Sequence, residues 1–187
     1  MSFTSLREKR LWLSALAVLL AIYATVGIAQ PVGSWLSGRG LLEAAFLSGM
    51  GLTAATVLCL ALQKKPSGLV LGLGLGIVAV YFMVLVRIEI PQERTHLIEY
   101  GVLATVVYQA LAERKRHLPQ LRGIAWLAIA AATLAGLLDE CLQLLVPGRV
   151  FDWRDLLFNF LASGMAVAAT LLLQRARAWS MNRKREQ

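Results

Sequence analysis

Residues 69–86 read LVLGLGLGIVAVYFMVLV, a run without a charged residue or a proline. An apolar stretch of about 18 residues or more is read as a membrane helix, since about 20 residues cross a hydrocarbon core of about 30 Å. Working outward, comparable runs cover about Leu11–Ala29, Leu41–Leu62, His96–Ala112, Gly123–Val146 and Leu156–Leu173. Pro31, Pro66, Pro91, Pro119 and Pro147 are expected between spans, with Pro31 closing the first. The 187-residue chain is 58% hydrophobic and 16% charged, with a mean hydropathy of +0.64. Soluble domains run about 45–50% apolar and about 25% charged. Six spans take about 120 residues and leave no segment long enough for an independent soluble domain. The predicted fold is therefore all-α, a polytopic bundle of six transmembrane helices forming a single domain over residues 1–187.

Charge orients it. Lys and Arg collect in cytoplasmic loops. With the N-terminus inside, fourteen of the 19 Lys and Arg fall on inner segments and the rest outside. Omitting the fourth span would put the basic C-terminus outside. Both termini are thus expected in the cytoplasm, and the net charge of +8 is an orientation signal that speaks against nucleic-acid binding. Gly27-Ile28-Ala29 fits a signal-peptide cleavage pattern, but the preceding apolar stretch exceeds the usual 7–15 residues, so an uncleaved first helix is expected. Trp12, Trp35, Trp126, Trp153 and Trp179 fall near span ends, as interfacial anchors do. Gly68, Gly72 and Gly76, with Gly49, Gly51 and Ala55, predict close helix packing. Cys59 and Cys141 lie in opposite leaflets, too far apart for a disulfide, and are expected as buried free thiols.

Polar residues concentrate late in the chain. Glu89, Glu93, Arg94, His96, Glu99 and Tyr100 straddle the third outer turn and the start of span four. Asp139, Glu140 and Gln143 lie near the outer end of span five, and Arg149, Asp152, Arg154, Asp155 and Asn159 around the start of span six. Glu8 and Glu113 fall in a tail and an inner loop. His96 with Tyr100, Glu140 with Gln143, and Asp155 with Asn159 are i,i+3 or i,i+4 pairs, each on one helical face. Asp139 lies about 10 Å into the hydrocarbon by helical rise. Ionisable groups at such depth are functional candidates with a partner nearby, and Arg94 and Arg149 are the available cations. Plainer roles stand beside these: Asp152 as an N-cap, Glu140 as a Glu–Arg brace, Arg149 as an interfacial anchor, His96 as an interfacial histidine, Asn159 as an interhelical hydrogen bonder.

Three stretches, in order, carry a family resemblance: Glu93-Arg94-Thr95-His96-Leu97-Ile98-Glu99-Tyr100-Gly101-Val102-Leu103, then Asp139-Glu140-Cys141-Leu142-Gln143, then Pro147-Gly148-Arg149-Val150-Phe151-Asp152-Trp153-Arg154-Asp155, ending at Asn159. Over about residues 90–175 the chain resembles the VanZ-like family of bacterial membrane proteins. Arg94 stands where Lys is usual, and Ala162 and Ala166 where glycines commonly follow the Asn. The resemblance implies a multi-pass protein of the bacterial cytoplasmic membrane whose ligand-binding candidates are Arg94, His96, Tyr100, Glu140, Gln143, Arg149, Asp155 and Asn159. The family is named for a protein associated with teicoplanin resistance. The implied partners, besides membrane lipids, are a lipid-linked cell-envelope substrate or a glycopeptide antibiotic.

Two functions follow as expectations. One is a site open to the outer leaflet that binds or modulates such a ligand. The other is a membrane enzyme acting on a lipid-linked phosphate or polyprenyl substrate. In that case Asp152-x-x-Asp155-x-x-x-Asn159 has the spacing to hold Mg²⁺ against phosphate oxygens. A homo-oligomer is compatible with either.

Overall fold

The computed structural model describes residues 3–63, 65–88, 91–146 and 150–183. Six helices form among them: α1 (Leu6–Ser37), α2 (Leu42–Gln63), α3 (Gly68–Arg87), α4 (Pro91–His117), α5 (Ile124–Gln143) and α6 (Trp153–Arg183). No strand occurs among the described residues. Three of the helices, α3, α5 and α6, are long and apolar enough to cross a membrane.

Local chemistry sets the helix ends. Ser5 caps α1, its Oγ accepting from the Glu8 backbone N–H at 3.0 Å, one half of a Ser-x-x-Glu capping box. Pro91 opens α4, where its missing N–H costs no hydrogen bond. Arg114, Lys115, Arg116 and His117 fill the last turn of α4 and meet the negative end of its dipole. Gly123 enters α5 at φ +65°, a conformation open to glycine without strain. Asp152 caps α6, with Oδ1 accepting from the Arg154 N–H at 2.8 Å.

Two boundaries differ from expectation. Pro31 does not close the first helix but sits inside the 32-residue α1. A proline forfeits one backbone hydrogen bond, and membrane helices tolerate this where neighbouring groups satisfy the freed carbonyl. The fourth helix is not short: α4 begins at Pro91 and runs 27 residues, so Arg94 and His96 lie within it and not at a loop edge.

The chain divides into two compact units, one of residues 1–29 and 92–168, the other of residues 30–91 and 169–187. In the first, the core is built from small residues on facing helices: Ala128, Ala132 and Ala135 of α5 with Ala162, Ser163 and Ala166 of α6, all buried. Small side chains let helix backbones approach closely. Alanine suffices at 162 and 166. Tyr23 of α1 donates to the Ala135 carbonyl at 2.9 Å.

In the second unit, α3 exposes Leu69, Leu75, Val78, Phe82, Met83 and Val86. A continuous apolar face of this kind suits lipid better than water. The expected glycine packing is absent here: a Cβ at Gly49, Gly51, Gly68, Gly72 or Gly76 would meet nothing within 4 Å. Close packing falls instead on the alanines of α5 and α6. The two cysteines are free, as expected, but both are exposed and not buried; a thiol is apolar enough to stand on such a surface. Trp35, Trp126, Trp153 and Trp179 are exposed, with Arg39 4.0 Å over the Trp35 ring and Arg183 4.9 Å over that of Trp179.

Candidate functional site

Helical spacing gives α4, α5 and α6 one polar face each within the first unit. His96 and Tyr100 of α4 are buried, as are Asp139, Glu140 and Gln143 of α5 and Asn159 and Ser163 of α6. Tyr100, Glu140 and Asn159 are each 0% exposed. Asp139 and Glu140 are consecutive, yet both turn inward. The helix surface of α5 is covered widely enough that its inward sector takes two adjacent positions.

Hydrogen bonds join the three faces. His96 Nδ1 lies 3.0 Å from Asn159 Oδ1, linking α4 to α6. Gln143 Nε2 donates to Asp139 Oδ2 at 3.3 Å and to Glu140 Oε1 at 3.1 Å, spending both amide protons on carboxylates. The Asp152 backbone N–H donates to Glu140 Oε2 at 3.1 Å, tying α5 to the start of α6. Ser163 Oγ donates to the Asn159 carbonyl at 2.7 Å. The His96 and Tyr100 rings lie 5.7 Å apart. A Cβ added at Gly136 would fall 2.9 Å from Asn159 Cγ and closer still to its amide nitrogen, so only glycine admits Asn159 here.

Satisfaction is incomplete at the centre. Asn159 Nδ2 is buried without a hydrogen-bond partner, and Tyr100 Oη and Asp139 Oδ1 are buried beside each other as a loose donor–acceptor pair. Asp155 and Glu140 are electrostatic neighbours. A buried polar atom without a partner costs about 1–3 kcal/mol. The centre of the cluster thus keeps donor and acceptor capacity that its own hydrogen bonds do not fully use.

Of the sequence-derived candidates, His96, Tyr100, Glu140, Gln143 and Asn159 come together. Arg94 and Asp155 are half-buried beside them in sequence, each with an interaction of its own. Arg149 lies outside the described residues. Among the described residues, Glu140 accepts from Gln143 and from the Asp152 backbone N–H, and a brace to Arg149 lies outside them. Among the described residues it is His96, Asp139 and Glu140 whose ligand atoms all lie within 4.8 Å of one another, while the Asp152 carboxylate is engaged in capping. Asp139 was absent from the resemblance-derived set. Its depth in an apolar span was the signal.

A second polar cluster escaped the sequence reading. Glu8 is fully buried in α1 and Glu113 nearly so in α4. Glu8 accepts from the Thr4 N–H at 2.7 Å, from Thr4 Oγ1 at 2.6 Å and from Trp12 Nε1 at 3.3 Å, and pairs with Arg114 at 3.4 Å. Arg116 lies 3.2 Å from Glu113, and Ser5 Oγ donates to Glu113 at 3.2 Å. The Ser5-x-x-Glu8 spacing was the available sign of an ordered helix start.

No curated protein and no solved structure matches the chain. A family model, VanZ/LLP1, matches residues 92–174, from the first turn of α4 into α6, and so contains every residue of the α4–α5–α6 cluster. Over those residues, 92–174, the chain is similar to the VanZ/LLP1 family.

Proposed function

We propose that this chain is a six-span protein of the bacterial cytoplasmic membrane, with both ends inside, whose α4–α5–α6 cluster acts as an enzyme site on the phosphate-bearing head group of a lipid-linked envelope substrate. The observation that carries the reading is the buried convergence of His96, Asp139 and Glu140, with ligand atoms within 4.8 Å of one another, beside Tyr100 and the unpartnered Asn159 Nδ2. His96 and the acids are proton-transfer groups held in reach of one another, the arrangement general acid–base chemistry needs. Entry is proposed at the α5–α6 turn, where Leu145 is 79% and Val150 81% exposed; apolar residues at a helix end insert among lipids. The distribution of basic residues supports an outer-leaflet position for this turn. Arg94 and Arg149 are the proposed cationic contacts for phosphate.

Binding or modulation without turnover is the other reading the family resemblance supports. A lipid-linked ligand is proposed ahead of a glycopeptide antibiotic because apolar Leu145 and Val150 stand exposed at the turn beside the cluster. Lipid extraction from the purified full chain tests both. A phosphate-bearing lipid should co-purify with the wild type and persist, unconverted, in Glu140→Gln. Equal recovery of bulk membrane lipids alone from both proteins would contradict both readings. Conversion of the bound lipid at equal rates by both would remove Glu140 from the chemistry.

A further inference from the structure

An acidic cluster repels phosphate unless a cation stands between them, and the cluster carries the means to hold one. The geometry points to a divalent transition-metal site formed by His96, Asp139 and Glu140. One ligand atom from each lies within 4.8 Å of the others, whereas donors around a shared ion at about 2.0–2.2 Å sit at most about twice that apart. A small rotamer adjustment closes the set.

Three further features support the assignment. His96 Nδ1 is 3.0 Å from Asn159 Oδ1. Donation of Nδ1–H to that oxygen leaves a lone pair on Nε2, the orientation that metal-binding histidines acquire from an outer partner. Gln143 holds one oxygen of each acid, Asp139 Oδ2 and Glu140 Oε1, so both carboxylates are fixed before an ion arrives. Asp139 Oδ1, by contrast, is buried with no well-formed hydrogen bond, facing the neighbouring Tyr100 hydroxyl. A cation gives that oxygen a stronger partner and offsets the cost of two buried carboxylates.

The donor set selects the metal. One imidazole nitrogen with two carboxylates suits Mn²⁺ or Zn²⁺, while Mg²⁺ prefers oxygen ligands throughout. With three protein donors, coordination positions remain for water or a phosphate oxygen. The inference rests on reading this cluster as the functional site, and it is tested without any substrate, so its failure leaves the lipid reading to its own experiment.

The full chain, purified in detergent and stripped with a chelator, should bind one Mn²⁺ per chain by electron paramagnetic resonance. The spin echo of the bound ion should carry an imidazole nitrogen coupling. Excess Mg²⁺ should fail to displace it, and Zn²⁺ should compete. Asp139→Asn, Glu140→Gln and His96→Gln should each weaken binding about tenfold or more, and Glu113→Gln, in the other polar cluster, should not. Absence of stoichiometric binding by the folded wild type would overturn the site. So would a bound ion without nitrogen coupling. Loss of binding in Asp152→Asn with retention in Asp139→Asn would overturn it in favour of the α6 acid series. The nitrogen coupling is read on the wild type, so it decides the matter even where a variant fails to fold.

Discussion

Gly136 shows how one missing side chain sets the site. Asn159 occupies the space a Cβ would take, and from there it holds His96. Gly136→Ala should lower the melting temperature in detergent, at a cost of about 1–3 kcal/mol for an overpacked contact. Gly164→Ala, where a Cβ meets nothing within 4 Å, should be neutral or stabilising by up to about 1 kcal/mol. Equal effects of the two would contradict the tight α5–α6 contact. The polar residues around this contact were legible from i,i+3 and i,i+4 spacing and from the depth of Asp139. The role of Gly136 was not, because a collision with a residue on another helix leaves no trace in local pattern. The partner of Glu140 was not legible either: a backbone N–H such as that of Asp152 is available at every residue and marks none.

At the scale of elements, the start of α1 and the end of α4 are joined by Glu8, Glu113 and their arginines. Burial pushes the Glu8 carboxyl up. The hydrogen bonds from the Thr4 hydroxyl and backbone and from Trp12, with Arg114 beside them, outweigh it and hold the group below its ordinary 4.5. A depressed folded-state value stabilises the protein above the ordinary one, and the contribution fades as pH falls through the folded value. Glu8→Gln should therefore melt below the wild type at pH 7, and the difference should shrink as the pH drops below 4.5. A gap that persists at lower pH would assign the effect to packing alone. Asp152→Ala removes the α6 cap and should cost about 0.5–2 kcal/mol. Hydropathy read the helices themselves well, because apolar runs and charged loops are local. It misjudged Pro31 and the start of α4. A proline ends a helix in water, and apolar context lets α1 continue through it.

At the scale of the molecule, the exposed apolar faces of α3 and the turn after α5 suit lipid, and the proposed orientation rests on the basic loops. Single cysteines in a background lacking Cys59 and Cys141 check this. Positions 38–40 and 150–152 should react with an impermeant thiol reagent in intact cells, and positions 118–122 only after permeabilisation. The reverse pattern would invert the protein and move the cluster to the inner leaflet. The glycine stripe of α2 and α3 predicted a packed interface and instead meets no neighbour among the described residues, because small residues permit close approach without compelling it.

The central claim is that His96, Asp139 and Glu140 serve a reaction and not merely the fold. Its most direct test is the profile of lipid-linked phosphates, by mass spectrometry, in cells whose own copy is replaced by wild type, Glu140→Gln or Asp139→Asn. Each substitution keeps side-chain shape and an oxygen acceptor, and because Gln143 Nε2 serves both acids the comparison is made at equal amounts of folded protein. Both variants are predicted to leave one lipid-linked species altered as in cells lacking the protein. Full restoration of the wild-type profile by both, at wild-type expression, would mean that the cluster is scaffolding.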